Sequence, residues 1–276
     1  MVAVTIHLIM RYLVVSDLDG TLLDHHTYQF AAAETAIRTL KNLEIPLILN
    51  SSKTQAEILK IRQQLNNTEP FVCENGGLIC ALENQQSVKH LGIPRQKFLS
   101  QLATIKRKLE LNYQGFAEVT TAEVSDWTGL SLEDAAKAMA REATEPLLWR
   151  DSELALDRFR KELQSIGLHC IRGGRFYHVM GSFNKASCFE PLKAYYSQLW
   201  QEQVAIIALG DSQNDLPMLE KADYGVVVPA ASGNSLKPSN PQVFYATQLA
   251  PHGWQQGIDY WLQNLNKSPV QEVRHR

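Results

Sequence analysis

Short apolar runs rich in β-branched residues alternate with amphipathic stretches of helical length in the first and last parts of the chain. The runs are apolar throughout, which is typical of strands buried on both faces of a parallel sheet. The predicted strands are 12–16, 45–50, 203–209 and 224–228, and the predicted helices are 31–43, 54–65 and 213–222. This alternation predicts an α/β fold built on a doubly wound, Rossmann-like parallel sheet.

The middle of the chain follows a different pattern. Amphipathic stretches at 96–111 and 132–143 predict helices, and short apolar runs at 168–172 and 175–180 predict strands. The pair Gly173–Gly174 lies between these two runs, as expected for a tight β-hairpin. A block with its own helices and hairpin, placed between the two halves of a parallel sheet, predicts an inserted α+β cap domain.

These patterns divide the chain into four segments. We expect residues 1–85 to form the first half of the core, 86–183 the cap domain, and 184–266 the second half of the core. The polar stretch 267–276 is expected to be a disordered tail. Met10 is an alternative start to Met1, and the sequence leaves that choice open.

Composition and charge exclude several classes of partner. The chain of 276 residues has a formal net charge of −2, so it has no basic surplus to neutralise a nucleic-acid backbone. The four cysteines are too few for a disulfide scaffold and lack zinc-ligand spacing, which indicates reduced thiols and a cytoplasmic location. No apolar stretch reaches the roughly 18 residues that a membrane helix needs. We therefore expect a small-molecule substrate, no nucleic acid and no membrane, in a monomer or a homodimer.

Polar side chains follow three of the predicted strands at the point where each strand ends. They are Asp17 and Asp19, then Ser51, Ser52 and Lys53, and finally Asp211 and Asp215. Because open α/β sheets bind ligands at the carboxyl ends of their strands, we expect these side chains to share one cleft. A cluster of carboxylates there needs a cation, and oxygen ligands favour Mg²⁺. A calcium-binding EF-hand loop at 17–24 is excluded, because its glycine is fourth rather than sixth and no glutamate closes it.

Four motifs carry a resemblance to the haloacid dehalogenase (HAD) superfamily. In chain order they are DLDGT (17–21), NSSKT (50–54), NKA (184–186) and GDSQND (210–215). The resemblance spans nearly the whole chain and implies a HAD core with an inserted cap. One motif departs from the pattern, because its lysine is commonly preceded by aspartate and followed by glycine. Here the neighbours of Lys185 are Asn184 and Ala186.

A closer resemblance is to the mannosyl-3-phosphoglycerate phosphatase family, which is of the Cof type with a C2B-like cap. The segments that carry it are SSKT (51–54), ENGG (74–77), REATEPLLW (141–149) and GGRFYHVMG (173–181). This resemblance implies a phosphoric monoester hydrolase whose product, mannosylglycerate, is a compatible solute.

The resemblance also implies roles for residues of the core motifs. Asp17 would be the nucleophile that forms an aspartyl-phosphate, and Asp19 would protonate the leaving oxygen and then activate water. Lys185 would offset the charge on the transferring phosphoryl group. Mg²⁺ would be bound by Asp17, the main-chain carbonyl of Asp19 and Asp211. Asp215 would be a further ligand through water or an anchor for Lys185.

The predicted substrate-binding residues form two groups. Those expected at the phosphate are Ser51, Ser52, Lys53 and Asn214. Those expected at the rest of the substrate are Glu74, Asn75, Arg141, Glu142, Thr144, Glu145 and Arg175. An arginine fork suits a glycerate carboxylate, whereas glutamate and asparagine suit sugar hydroxyls. His25 and His178 are interpreted as exposed or hydrogen-bonded side chains rather than ligands.

Several of these residues have a purely structural alternative. Ser51 can cap the helix at 54–65, and Asp215 lies in a first helical turn, where the dipole favours a carboxylate. Arg141 and Glu142 can form a solvated helix end, and ENGG can form a tight turn in which Asn75–Gly76 supplies positive φ.

The expected activity is Mg²⁺-dependent hydrolysis of mannosyl-3-phosphoglycerate to mannosylglycerate and phosphate. The glucosyl analogue or another sugar phosphate is the alternative substrate. Two other classes remain, a phosphosugar mutase and a non-catalytic sugar-phosphate sensor. The presence of both Asp17 and Asp19 disfavours the sensor, because binding alone needs neither a nucleophile nor an acid.

Overall fold

A computed structural model describes residues 10–231, 233 and 235–265. The expected tail at 267–276 and the segment before Met10 lie outside these residues. The strands are β1 Met10–Ser16, β2 Leu47–Asn50, β3 Phe71–Cys73, β4 Leu78–Cys80, β5 Val88–His90, β6 Tyr113–Gly115, β7 Thr144–Trp149, β8 His169–Arg172, β9 Tyr177–Met180, β10 Gln203–Gly210, β11 Tyr224–Val227 and β12 Val243–Tyr245. The α-helices are α1 Glu34–Asn42, α2 Gln55–Gln64, α3 Arg95–Lys108, α4 Thr121–Thr128, α5 Leu132–Met139, α6 Glu153–Ser165, α7 Phe189–Trp200, α8 Leu216–Lys221 and α9 His252–Leu265.

The chain folds into two compact units. The terminal unit comprises residues 10–47 and 205–265, and the central unit comprises residues 48–204. The predicted domain boundaries at 85/86 and 183/184 stay predictions.

The terminal unit contains strands in the order β12-β11-β10-β1, of which β10, β11 and β12 are parallel. Its interior strands are apolar throughout, as the sequence predicts, and residues 13–15 and 205–209 are buried. Helix α9 covers one face of these strands: Trp254 Nε1 donates to Ser16 Oγ at 2.9 Å, and Trp261 Nε1 donates to Gly225 O at 3.0 Å. Both indole N–H groups are thus satisfied inside the core, which ties the last helix to β1 and β11.

The central unit contains two sheets. Its first sheet has the order β2-β3-β4-β5, with β2 and β3 parallel and the following pairs antiparallel. Its second sheet, which we call the antiparallel sheet, has the order β6-β7-β9-β8. Helices α3 and α6 pack on one face of the antiparallel sheet through a cluster that includes Phe98, Phe159, Leu147 and Val179.

The predicted α/β fold class is confirmed, and the differences from the predicted elements are local. The first helix begins as a 3₁₀ turn at Ala31–Ala33 before α1. The predicted hairpin is β8–β9, with four residues, 173–176, between the strands instead of the glycine pair alone.

Candidate active site

Three carboxylates meet at the carboxyl ends of the neighbouring strands β1 and β10. Asp17, Asp211 and Asp215 each place one oxygen so that the three atoms lie within 4.8 Å of one another. The Asp17 main-chain N–H donates to Leu209 O at 3.0 Å, which sets β1 beside β10 at this end. Asp17 and Asp215 are 5% and 0% exposed. Carboxylates this close repel each other, and a bound cation would offset that repulsion. Three oxygen donors at this spacing fit a hard divalent ion.

The loop after β10 is held by Asp215. Its Oδ2 accepts hydrogen bonds from the main-chain N–H groups of Asp211 and Ser212 at 3.1 and 2.9 Å, and from Ser212 Oγ at 2.9 Å. A Cβ at Gly210 would lie 2.4 Å from the Asp215 Cβ, so this close packing needs glycine. Asn214 lies in the same loop, where its Oδ1 accepts from Ser212 Oγ at 2.5 Å. Asp215 therefore fixes the backbone that presents Asp211.

The turn after β1 orients Asp211 from the other side. Thr21 Oγ1 donates to Asp211 Oδ1 at 2.9 Å. Gly20 has a φ of +81°, and a Cβ there would lie 2.7 Å from Asp211 Oδ2. Asp19 lies on this turn and is half-buried. Sequence reasoning missed Thr21 and Ser212, although both lie inside the motifs that it singled out.

In the central unit, Ser51, Ser52 and Lys53 form a loop after β2, which we call the 51–53 loop. The carbonyls of Ser51 and Lys53 accept from the main-chain N–H groups of Asn75 and Glu74 at 3.0 and 2.9 Å. The Lys53 N–H donates to Ser51 Oγ at 3.2 Å. The segment 74–76 therefore shapes the 51–53 loop through main-chain contacts.

The cap of α2 is Thr54, not Ser51. Thr54 Oγ1 accepts from the Glu57 N–H at 3.3 Å, and Glu57 Oε2 accepts from the Thr54 N–H at 2.8 Å. This reciprocal capping box occupies the helix end. The alternative in which Ser51 caps this helix is therefore wrong.

Lys185 begins a 3₁₀ turn, Lys185–Cys188, and is fully buried. Its carbonyl accepts from Asn50 Nδ2 at 2.8 Å. Asn184, which departs from the motif pattern, caps this turn, because its Oδ1 accepts from the Ala186 N–H at 2.9 Å. Gly76 packs against this segment so closely that a Cβ there would lie 2.0 Å from Asn184 O.

Glu74 is fully buried, and both of its carboxylate oxygens accept hydrogen bonds. Oε1 accepts from the Glu142 N–H at 2.7 Å. Oε2 accepts from the N–H groups of Ala143 and Thr144 at 3.1 and 2.8 Å and from Thr144 Oγ1 at 2.7 Å. Glu74 therefore holds residues 142–144 in place, and we call this set of hydrogen bonds the Glu74 clamp. The contact of Glu74 with substrate stays a prediction.

Of the other predicted substrate residues of the central unit, Arg141 and Glu142 lie next to the residues that Glu74 binds, and Arg175 contacts a different segment. The Arg141 guanidinium donates to Thr144 Oγ1 at 2.7 Å and lies 3.4 Å from Ser52 O. Glu142 is half-exposed and lies 3.4 Å from His90 Nε2. Arg175 is exposed and donates to the main-chain carbonyl of Trp127.

The structure also tests the expectations for the turn at 74–77 and for His178. Asn75 and Gly76 do adopt positive φ, at 60° and 94°, and Glu74 precedes them at 52°. His178 is half-buried, and its Nδ1 is buried without a hydrogen-bond partner among the described residues, so the expectation of a hydrogen-bonded ring does not hold at this nitrogen. Burial, with the positive charge of Arg141, lowers the pKa of His178 to about 3. The imidazole is therefore neutral at physiological pH.

Comparison with known proteins identifies the family of the chain and shows its fold in solved structures. Residues 14–241 match the family model of haloacid dehalogenase-like hydrolases. The match covers most of the chain, and the protein belongs to this family.

Solved structures show the same fold. A protein from Thermoplasma acidophilum, 0175, is 21% identical with a TM-score of 0.63, and the match covers 93% of this chain and 99% of that chain. BT1666 from Bacteroides thetaiotaomicron, described among phosphatases of the haloalkanoate (HAD) superfamily, is 16% identical with a TM-score of 0.65 and coverage of 95% and 98%. The subclass IIB sugar phosphatase BT4131 is 16% identical with a TM-score of 0.62 and coverage of 93% and 99%. Among the described residues, no helix has the length and apolar character needed to cross a membrane.

Proposed function

We propose that the protein is a Mg²⁺-dependent phosphatase that acts on a phosphorylated sugar. The observation that carries this proposal is the buried cluster of Asp17, Asp211 and Asp215 in a member of the haloacid dehalogenase-like hydrolases. Similar folds in a sugar phosphatase and in another phosphatase of the superfamily support it.

In the proposed reaction, Asp17 and Asp19 act in two steps: formation of an aspartyl-phosphate and its hydrolysis. A carboxylate oxygen of Asp17 attacks phosphorus while the bond from phosphorus to the sugar-side oxygen breaks, and Asp19 gives that oxygen its proton. Asp19 then takes a proton from water as the water oxygen attacks phosphorus. The bond from Asp17 to phosphorus breaks, which releases phosphate and restores the free carboxylate of Asp17 and the protonated carboxyl group of Asp19.

The remaining residues bind and orient. Asp17, Asp211, Asp215 and the main-chain carbonyl of Asp19 would hold Mg²⁺, which when bound neutralises charge on the nucleophile and the phosphoryl group. On the family motifs we assign phosphoryl binding to Ser51, Lys185 and Asn214. Thr21 and Ser212 keep the loops in place through their hydrogen bonds to Asp211 and Asp215.

For the substrate, we propose a glycosyl-3-phosphoglycerate, with the mannosyl compound first and the glucosyl compound as the alternative. Support comes from the segments 74–77, 141–149 and 173–181, which resemble the mannosyl-3-phosphoglycerate phosphatase family. The first two of these segments meet in the structure at the Glu74 clamp.

The test is phosphate release with Mg²⁺ from mannosyl-3-phosphoglycerate, glucosyl-3-phosphoglycerate, hexose phosphates and p-nitrophenyl phosphate. Asp17→Asn should abolish release from every ester. Asp24→Asn is the matched control, because Asp24 lies seven residues after Asp17 and its carboxylate accepts from His26 and Thr27 in an exposed loop.

Each component of the proposal can fail by itself. Equal activity on glycosyl-3-phosphoglycerates and hexose phosphates would overturn the substrate but leave the phosphatase. Residual activity in Asp17→Asn would overturn the nucleophile. Transfer of the phosphoryl group between sugar positions, without net phosphate release, would make the enzyme a mutase.

A further inference from the structure

Asn50 is a polar residue at the end of the buried strand β2. It is fully buried, and the apolar residues 47–49 that precede it in the strand are buried too. An amide in such surroundings is costly unless it forms hydrogen bonds. Asn50 directly precedes the 51–53 loop, and the Ser51 N–H donates to Val72 O at 3.1 Å. The Asn50 side chain therefore extends from a main chain that the sheet holds in place.

The Asn50 amide binds the turn that begins with Lys185. Its Nδ2 donates to Lys185 O at 2.8 Å and to Cys188 Sγ at 3.6 Å. The Cys188 thiol donates to the same carbonyl at 3.2 Å. Of these two contacts to Lys185 O, the one from the amide is shorter and has the stronger donor. Asn50 thus joins two segments that are 135 residues apart in the chain.

Other contacts of this turn act on the neighbours of Lys185. The Asn184 N–H donates to Ser187 Oγ at 3.0 Å, and the Asn184 carbonyl packs against Gly76. The bond from Asn50 acts on Lys185 itself. Because Lys185 is fully buried in a close-packed interior, a shift of its main chain displaces its ammonium group as well.

Ser51 and Lys185 are the two residues of the central unit to which we assign phosphoryl binding. Asn50 is linked to Ser51 by a peptide bond and to Lys185 by a hydrogen bond. We propose that Asn50 is a positioning residue, which fixes Lys185 relative to Ser51 for phosphoryl transfer. The inference rests on the proposed function, because the roles of Ser51 and Lys185 are assigned there.

The experiment compares Asn50→Ala and Asn50→Leu with the wild-type protein on p-nitrophenyl phosphate, mannose 6-phosphate and mannosyl-3-phosphoglycerate. Neither variant has a donor for Lys185 O, whereas leucine fills the space of asparagine and alanine does not. We expect both variants to lower kcat by about tenfold to a hundredfold, and KM to change by less than about threefold. The factor should be the same for every ester that the wild type hydrolyses, because the phosphoryl group is common to them. A loss in only one of the two variants would assign the effect to packing and overturn the proposal.

A double-mutant cycle with Lys185→Met separates positioning from general support of the fold. Methionine keeps an unbranched side chain but carries no charge. Once the ammonium group is absent, its position no longer matters. Asn50→Ala should therefore change the residual kcat of Lys185→Met by less than about twofold. Equal losses of kcat with and without the lysine would overturn the proposal.

The matched control is Tyr196→Phe. Tyr196 is buried in the same unit, and its hydroxyl donates to Glu69 Oε2 at 2.8 Å, so this variant also loses one hydrogen bond. Its kcat should stay within about twofold of the wild-type value. Near-ultraviolet circular dichroism establishes that each variant is folded. A loss of kcat in Tyr196→Phe equal to that in Asn50→Ala would overturn the proposal, because destabilisation alone would then explain both.

Binding of orthovanadate with Mg²⁺ separates this inference from the proposed function. Vanadate takes the five-coordinate geometry of a transferring phosphoryl group, and isothermal titration calorimetry measures its Kd without turnover. Kd should rise about tenfold or more in Asn50→Ala, and the double variant should match Lys185→Met. This result in a protein that hydrolyses no ester would reject the phosphatase and keep the positioning of Lys185 by Asn50. Hydrolysis with an unchanged kcat in both Asn50 variants would reject the positioning alone, and the absence of both hydrolysis and vanadate binding would reject both.

Discussion

Glu74→Ala removes the acceptor for four hydrogen bonds at once. The carboxylate binds three successive main-chain N–H groups and one hydroxyl in residues 142–144. Glu74 is fully buried, so water does not readily replace the lost oxygens. Glutamate and alanine both carry a Cβ, so the positive φ of 52° costs the two residues similar strain. The change in stability of this variant therefore reports the loss of the hydrogen bonds of the Glu74 clamp and not a change in backbone strain.

The expected loss of stability follows from the hydrogen-bond donors of residues 142–144 that lose their acceptor. A buried donor without an acceptor costs about 1–3 kcal/mol, and neighbouring losses are not additive because the segment relaxes as one piece. We expect the free energy of unfolding of Glu74→Ala to fall by about 3–5 kcal/mol. Glu74→Gln can keep its amide oxygen at the position of Oε2, with three bonds. Its NH₂ group then faces the Glu142 N–H, and we expect a loss of about 1–2 kcal/mol.

The assay is urea denaturation followed by circular dichroism at pH 7, with Glu83→Ala as the control. Glu83 lies in an exposed loop, so its replacement should change the free energy of unfolding by less than about 0.5 kcal/mol. A loss below about 1 kcal/mol for Glu74→Ala would refute the clamp, and so would an equal loss for alanine and glutamine.

Other substitutions test the geometry of the site and its support. Gly20→Ala places a Cβ 2.7 Å from Asp211 Oδ2, so we expect at least a tenfold loss of kcat/KM, measured by phosphate release; unchanged activity would contradict the packing. Thr54→Ala removes the cap of α2 and the bond from Thr54 Oγ1 to Lys137 O at 2.8 Å; thermal denaturation should show a loss of about 1–2 kcal/mol that serine restores. The pKa of His178 is lowered to about 3 in the folded state, whereas that of an unfolded histidine is about 6.5. Between these two pH values the imidazole is protonated only in the unfolded state. Between about pH 6.5 and 3 stability should therefore fall by up to about 1.4 kcal/mol per pH unit, and His178→Asn, compared by urea denaturation at pH 7 and 5, should lack this part of the decline.

Strands with a continuous apolar pattern could be predicted from the sequence, and so could the strand ends that carry polar residues. The predictions at 203–209 and 224–228 match β10 and β11 closely, because burial on both faces demands apolar side chains at every position. Strands β3 and β4 have three residues each, too few to show a period, and they were missed.

Side-chain partners between distant segments could not be predicted. The bond from Thr21 to Asp211 joins residues 190 positions apart, and the clamp from Glu74 reaches Thr144 across 70. The partnerless Nδ1 of His178 depends on the strand register that places Pro146 and Ile171 beside it. No local pattern carries that information, whereas the capping box at Thr54 and Glu57 can be read within four residues.

The terminal unit is built from the two ends of the chain, and this has a consequence for its synthesis. Residues 10–47 leave the ribosome before the whole central unit, and β10 follows only about 160 residues later. At 5–20 residues per second, the completed segment 10–47 waits roughly 8–30 s for β10. During that interval Asp17 has neither Asp211 nor Asp215 beside it, and the apolar strand that precedes it has an open edge. The nascent protein therefore acquires its acidic cluster last, and a chain whose synthesis stops before residue 203 has an exposed strand and lacks Asp211 and Asp215 of that cluster.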